Sequence, residues 1–126
     1  MGKAKAPRRL ADNEARAVLR TIRISPQKLN LVAALIRGKK VATALSDLEF
    51  SQKRIAGTVR KTLESAIANA ENNNSVRPET LVIKEAVAGT ATSFKRVIPK
   101  ARGSMGPIVK RNCHIKIVLT DNNSAE

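Results

Sequence analysis

Between Ala86 and Lys116 the chain carries no acidic side chain. The stretch holds Lys95, Arg96, Lys100, Arg102, Lys110, Arg111 and Lys116, punctuated by Gly89, Pro99, Gly103, Gly106 and Pro107. Loops this long in compact domains are either functional or disordered. The flanking residues favour function. Leu81-Val82-Ile83 opens a strand after Pro78. From Cys113 to Thr120 the pattern alternates, with Cys113, Ile115, Ile117 and Leu119 on one face and His114, Lys116 and Thr120 on the other. Two strands joined by roughly twenty basic, Gly/Pro-containing residues describe a long hairpin at about 86–112. Its far part is too poor in apolar side chains to bury itself, so it extends into a partner of opposite charge.

The remainder reads as one domain over 13–120. Residues 1–12 form a basic, disordered arm and 121–126 a polar tail. Residues 14–24 are ambiguous: Arg16, Arg20 and Arg23 share a helical face, yet Thr21-Ile22 and Ile24 are β-branched, which favours a strand. Ser25-Pro26 starts a helix, with Ser capping and Pro in the first turn, and Gly38 stops it. Val41, Ala44, Leu45 and Leu48 mark a short amphipathic helix. Ser51 is placed to cap a third, whose stripe runs Ile55, Val59, Leu63, Ala66, Ile67 and Ala70 to the stop at Asn72-Asn73-Asn74.

Charge narrows the function. The chain has 24 Lys+Arg against 10 Asp+Glu in 126 residues, a formal net charge of +14. Residues 1–40 contribute net +9, residues 41–90 zero and residues 91–126 net +5. Such a body repels itself unless a polyanion neutralises it. With two Phe and no Trp or Tyr, base stacking on aromatic platforms is excluded, and phosphate and shape recognition remain. A membrane-active protein would need a basic helix with a bulky apolar face. Here the apolar stripes lie in the neutral middle, so no membrane partner is expected. The N-terminus leads into no apolar block and does not read as a secretory signal.

Catalysis has no constellation to rest on. The one Cys and the one His, Cys113-His114, are adjacent. In a strand they point to opposite faces and cannot serve as nucleophile and base. A single Cys excludes a disulfide framework and a cysteine-rich zinc site. No phosphate-binding loop, dinucleotide fingerprint or nucleophile elbow occurs. No catalytic residue, metal, cofactor or small-molecule substrate is expected.

Three ordered blocks carry a resemblance. They are Arg23-Ile24-Ser25-Pro26-Gln27-Lys28-Leu29-Asn30-Leu31-Val32 with Leu35-Ile36-Arg37-Gly38-Lys39; Leu63-Glu64-Ser65-Ala66-Ile67-Ala68-Asn69-Ala70-Glu71-Asn72-Asn73; and Lys95-Arg96-Val97-Ile98-Pro99-Lys100-Ala101-Arg102-Gly103, followed by Ile108, Lys110-Arg111 and His114-Ile115. In order and spacing the sequence resembles the large-subunit ribosomal protein twenty-two family, over about residues 12–120. The resemblance implies an α+β fold: three helices packed on a small antiparallel three-stranded sheet, with a long extended β-hairpin. It further implies a structural constituent of the large ribosomal subunit that binds large-subunit rRNA and supports early assembly. The hairpin of such a protein lines the nascent-peptide exit tunnel. Neighbouring large-subunit proteins and the passing nascent polypeptide are the other implied partners. The location is the ribosome, of a bacterial cytoplasm or of an organelle. Two departures stand out: Ser104-Met105-Gly106 where the family usually places a further Arg and Ala, and Asn112-Cys113-His114 where it usually has Thr-Ser-His.

The expected rRNA-binding residues form two groups. On the body a cationic surface is built from Arg16, Arg20, Arg23, Lys28, Arg37, Lys39 and Lys40. On the hairpin, Lys95, Arg96, Lys100, Arg102, Lys110 and Arg111 neutralise phosphates, with His114 at its base. By resemblance the tunnel-proximal part is Phe94, Lys95, Arg96, Val97, Ile98, Pro99, Lys100, Ala101, Arg102 and Gly103.

Overall fold

The computed structural model describes residues 2–7 and 9–122. Residues 2–7 and 9–13 hold no helix or strand; of the tail expected over 121–126, Asp121 closes the last strand and 123–126 lie outside the described residues. The elements run β1 (Glu14–Ile22), α1 (Pro26–Ile36), α2 (Val41–Glu49), α3 (Ala56–Asn74), β2 (Leu81–Thr90), β3 (Phe94–Pro99), β4 (Met105–Lys110) and β5 (Cys113–Asp121). One antiparallel sheet has the order β1-β5-β2, and β3-β4 form a separate two-stranded ribbon. The α+β architecture with three helices, a three-stranded sheet and a projecting hairpin is as expected.

The ambiguous segment is a strand. Ala15 and Ala17 are buried while Arg16, Val18 and Arg20 are exposed, the period of two that a half-covered strand requires. α3 lies across β1 and β5, and α1 across β2 and β5. The core sits in that layer, where Leu29, Ile36, Leu63, Ile83, Ile115, Ile117 and Leu119 are fully buried. Small Ala33, Ala44, Ala56, Ala66 and Ala70 are buried among them and bring helix backbones close to their neighbours.

Three local readings need correction. Ser25 flanks α1 in extended conformation but makes no side-chain cap bond. Ser51 does not cap the third helix: its Oγ accepts from the Lys53 N–H at 3.4 Å, and α3 begins at Ala56. The Asn72-Asn73-Asn74 run is helical to its end; the stop is Ser75, at φ 54°. Its N–H and that of Val76 bond back to the Glu71 and Ala70 carbonyls, which satisfies the last turn.

Both outer edges of the sheet are partly covered, which shortens the templates for aberrant pairing. Along β1, the Asn69 and Asn74 side-chain amides of α3 donate to the carbonyls of Arg16 and Glu14 at 3.0 and 3.1 Å. Along β2, the α1–α2 link docks: Gly38 N–H donates to Ile83 O, and Ile83 N–H to Lys39 O, both at 3.0 Å. Gly38 holds φ 71° there, a conformation glycine adopts without steric cost.

β2 stays in the body sheet as far as Thr90, paired with Cys113. The free hairpin is therefore shorter than the 86–112 span, and only residues beyond 90 leave the sheet. Ala91 N–H donates to Asn112 O at 3.0 Å and the Asn112 side chain to Thr92 O at 2.7 Å. These bonds bridge the gap between sheet and ribbon.

Candidate nucleic-acid interface

The ribbon pairs Phe94 with Lys110, Lys95 with Val109, Arg96 with Ile108, Val97 with Pro107, Ile98 with Gly106 and Pro99 with Met105. Opposite residues share a face. Every residue of β3 is exposed. Contrary to the sequence expectation, the ribbon is not poor in apolar side chains. Phe94, Val97, Ile98, Met105 and Val109 are all there, each more than 40% exposed. Among the described residues no second layer covers them. Lys95, Val97, Pro99, Met105, Pro107 and Val109 make one face; Phe94, Arg96, Ile98, Ile108 and Lys110 make the other. Arg96 stands 5.9 Å above the Phe94 ring, a distance at which the ring attracts the cation.

The tip is a tight turn. Lys100 N–H donates to Ser104 O at 2.7 Å, and the Ser104 hydroxyl to Ala101 O at 2.8 Å. Arg102 and Gly103 follow each other at φ 56° and 72°. Ser104 therefore acts in the turn itself, its proton directed at Ala101. The Lys100 side chain lies over Gly106, where an added Cβ would stand 2.7 Å from its Cε. Phe94 is not at the tip. It pairs with Lys110 at the root, about 17 Å from Pro99 at ~3.3 Å per residue.

The seven cations of the body do not form one surface. Arg16 and Arg20 line a cleft of about 590 Å³ along the free edge of β1, facing Lys61, Thr62 and Asn69 of α3. Arg23 and Lys28 sit at the root of the ribbon, where the Arg23 guanidinium donates to the Arg111 carbonyl at 2.7 Å. Arg37, Lys39 and Lys40 lie at the other end of α1, ~16 Å away at 1.5 Å per residue. Arg37 is exposed, yet its guanidinium is engaged within the chain, donating to Ala86 O at 2.7 Å and Asn30 Oδ1 at 2.8 Å. Lys39 pairs with Asp47 at 2.6 Å. Lys40 is exposed.

His114 has an intramolecular role. Its Nδ1 lies 3.1 Å from Thr90 O; a carbonyl only accepts, so Nδ1 carries the proton in this contact. The ring covers Gly89, where a Cβ would stand 2.4 Å from Cε1, and that is why glycine is required at this point of β2. Cys113, on the opposite face, is buried, and burial pushes its thiol pKa up.

Lys61 and Arg54, absent from the expected site residues, join the cationic clefts. For Lys61 a signal existed: Thr58, Lys61, Ser65 and Asn69 recur at helical spacing beside the core stripe. Arg54 has no periodic context and becomes adjacent to the other cations only by folding. On the outer sheet face, Lys84 hydrogen-bonds Glu14 and holds its carboxyl below the usual range. Lys116 pairs with Glu85 at 3.1 Å. Among the described residues no three His, Cys, Asp or Glu gather as metal ligands, and no helix is long and apolar enough to cross a membrane.

Residues 17–120 match the family described as Ribosomal protein L22p/L17e. The chain is 69% identical over 121 residues to the Large ribosomal subunit protein uL22 of Mesorhizobium japonicum, covering 96% of this chain and 94% of that one. It is 62% identical over 121 residues to the protein of that name from Sinorhizobium medicae, with the same coverage. With that of Rhizobium etli it shares 60% identity over 126 residues, covering 100% and 98% of the two chains.

Proposed function

Because this chain belongs to the Ribosomal protein L22p/L17e family, we propose that it is a structural constituent of the large ribosomal subunit which anchors to rRNA through its body and inserts its ribbon between rRNA segments. One observation carries this reading. The ribbon has six cations, no carboxylate and exposed side chains on both faces. Such an element cannot be stable alone in water: an isolated two-stranded hairpin is marginal at best, and like charges along it repel. A phosphate-lined channel removes both penalties, since it neutralises the cations and encloses the apolar side chains.

The division of labour follows from the geometry. The body cations Arg16, Arg20, Arg23, Lys28 and Lys40 contact the rRNA surface; Arg37 and Lys39, already bonded to Ala86, Asn30 and Asp47, shape that surface. Along the ribbon, Lys95, Arg96, Lys100, Arg102, Lys110 and Arg111 meet phosphates, which position without reading sequence. His114 holds the base of the ribbon through its Nδ1 contact with the Thr90 carbonyl. By bridging rRNA segments that are distant in sequence, the protein supports assembly. The tip, Pro99 to Met105, faces the passing nascent polypeptide, and the family role it fills is structural rather than enzymatic.

Sedimentation of a tagged copy from lysate, with a high-salt wash before the gradient, tests this. Retention on large subunits at one copy per particle is expected. Release by the wash, or spreading over all nucleic acid, would reduce the interaction to nonspecific charge.

A further inference from the structure

Where the ribbon leaves the body, four cations from four separate segments converge. Arg23 follows β1, Lys28 belongs to the first turn of α1, Arg54 lies between α2 and α3, and Arg111 lies between β4 and β5. With Ser25 and Val109 they line one pocket of about 520 Å³ that has no acidic residue in its wall. Among the described residues, the ion pairs go to Lys39, Arg60, Lys84 and Lys116, and none reaches these four. Arg23 is already oriented by its bond to the Arg111 carbonyl, with further N–H donors left over. Ser25, in the same wall, makes no cap bond, and the first turn of α1 contains no carboxylate. The positive end of that eleven-residue helix thus adds to the same field.

Like charges gathered in a concavity repel, and the arrangement is stable when an anion occupies it. We propose that this pocket is a phosphate clamp: one phosphodiester of the large-subunit rRNA backbone sits among Arg23, Lys28, Arg54 and Arg111 and fixes the ribbon to the body. The assignment rests on the rRNA-binding reading above and adds the site, the ligand group and a residue, Arg54. The pocket is larger than one phosphate needs, and its Val109 side suits a flanking ribose, so it takes a chain phosphate in preference to the free ion. Arg23, Lys28 and Arg54 come from the body, whereas Val109 and Arg111 come with the ribbon. A bound phosphate therefore joins the two parts and sets their relative orientation.

Arg54→Gln in the full-length protein tests the clamp. Arg54 is exposed and makes no side-chain bond among the described residues, so the variant folds. Lys53→Gln, the adjacent exposed cation outside the pocket, is the comparator. Binding to a large-subunit rRNA transcript is measured by filter retention across a salt series. Arg54→Gln is expected to weaken binding about tenfold and to lower the salt slope by up to about one phosphate contact. Arg54→Lys recovers part of the loss, and Lys53→Gln matches wild type. Wild-type binding with Arg54→Gln indistinguishable from it would overturn the clamp and leave the ribosomal reading intact. Absence of salt-dependent rRNA binding by the wild type would overturn both. If millimolar inorganic phosphate abolishes the difference between Arg54→Gln and wild type, the pocket takes the free ion and the clamp is again overturned.

Discussion

β5 and β3 are built from the same kind of sequence and have opposite fates. Ile115, Ile117 and Leu119 alternate along β5 and are fully buried; Val97 and Ile98 of β3 are 58% and 48% exposed. β-propensity does not separate them, since both are rich in β-branched residues. The difference lies one layer away. α1 and α3 cover the inner face of the sheet, and among the described residues no helix or second sheet covers either face of the ribbon. The body thus meets its hydrophobic requirement internally, while the ribbon depends on another molecule. Strand formation and strand burial are separate decisions, and the second belongs to whatever supplies the opposing surface.

The largest expected effect is on binding. Replacing Lys95, Arg96, Lys100, Arg102, Lys110 and Arg111 by Gln removes up to six phosphate contacts. Six contacts account for roughly a thousandfold of affinity between 50 and 200 mM salt. The substituted protein should keep its melting temperature and show a much shallower salt slope by filter binding. An unchanged slope would place the affinity in the body and dissolve the contrast between the two regions.

Next come side-chain truncations. Leu63→Ala, in the core, should destabilise the free protein by about 2–5 kcal/mol in urea unfolding. Ile98→Ala on the ribbon should stay within about 0.5 kcal/mol, as for other surface positions. A large loss from Ile98→Ala would mean that the ribbon packs on something in the free state.

The smallest effect concerns the outer face of the sheet. The hydrogen bond from Lys84 lowers the Glu14 pKa. A carboxyl whose folded-state pKa is depressed adds stability above its unfolded value and loses it as pH falls through the folded value. The melting-temperature gap between wild type and Glu14→Gln should therefore close on acidification below the ordinary carboxylate range. Solvent screens the half-exposed Lys84, so the gap is small. No trend with pH would remove the pair from the stability of the body.

Much of this was readable in the linear sequence, for local reasons. Pro26 and Gly38 bracket α1 because proline suits a first turn and glycine a left-handed stop. The stripe from Val59 to Ala70 places α3 because an amphipathic face must be covered. The acid-free run marks the hairpin because nothing within it can neutralise its charge. α1 starts at Pro26 as read, but Ser25 makes no side-chain cap bond; at Ser51 the start itself failed, because α3 begins only at Ala56. The body cations were misjudged as one patch because sequence proximity does not state where a strand ends or where a helix carries the chain.

Periodicity, turn chemistry and charge act over a few residues, and from them followed the three helices, β2 and β5, the extension and the polyanionic partner, while 14–24 stayed open between helix and strand. Which cations meet was settled by packing. Arg23 and Arg111 are 88 positions apart and joined by a hydrogen bond; Arg37 is tied to the carbonyl of Ala86, 49 positions away. Arg54, with no local signal, completes the pocket at the ribbon root. Convergence of this kind depends on how helices and sheet pack, and packing is set by the whole core at once.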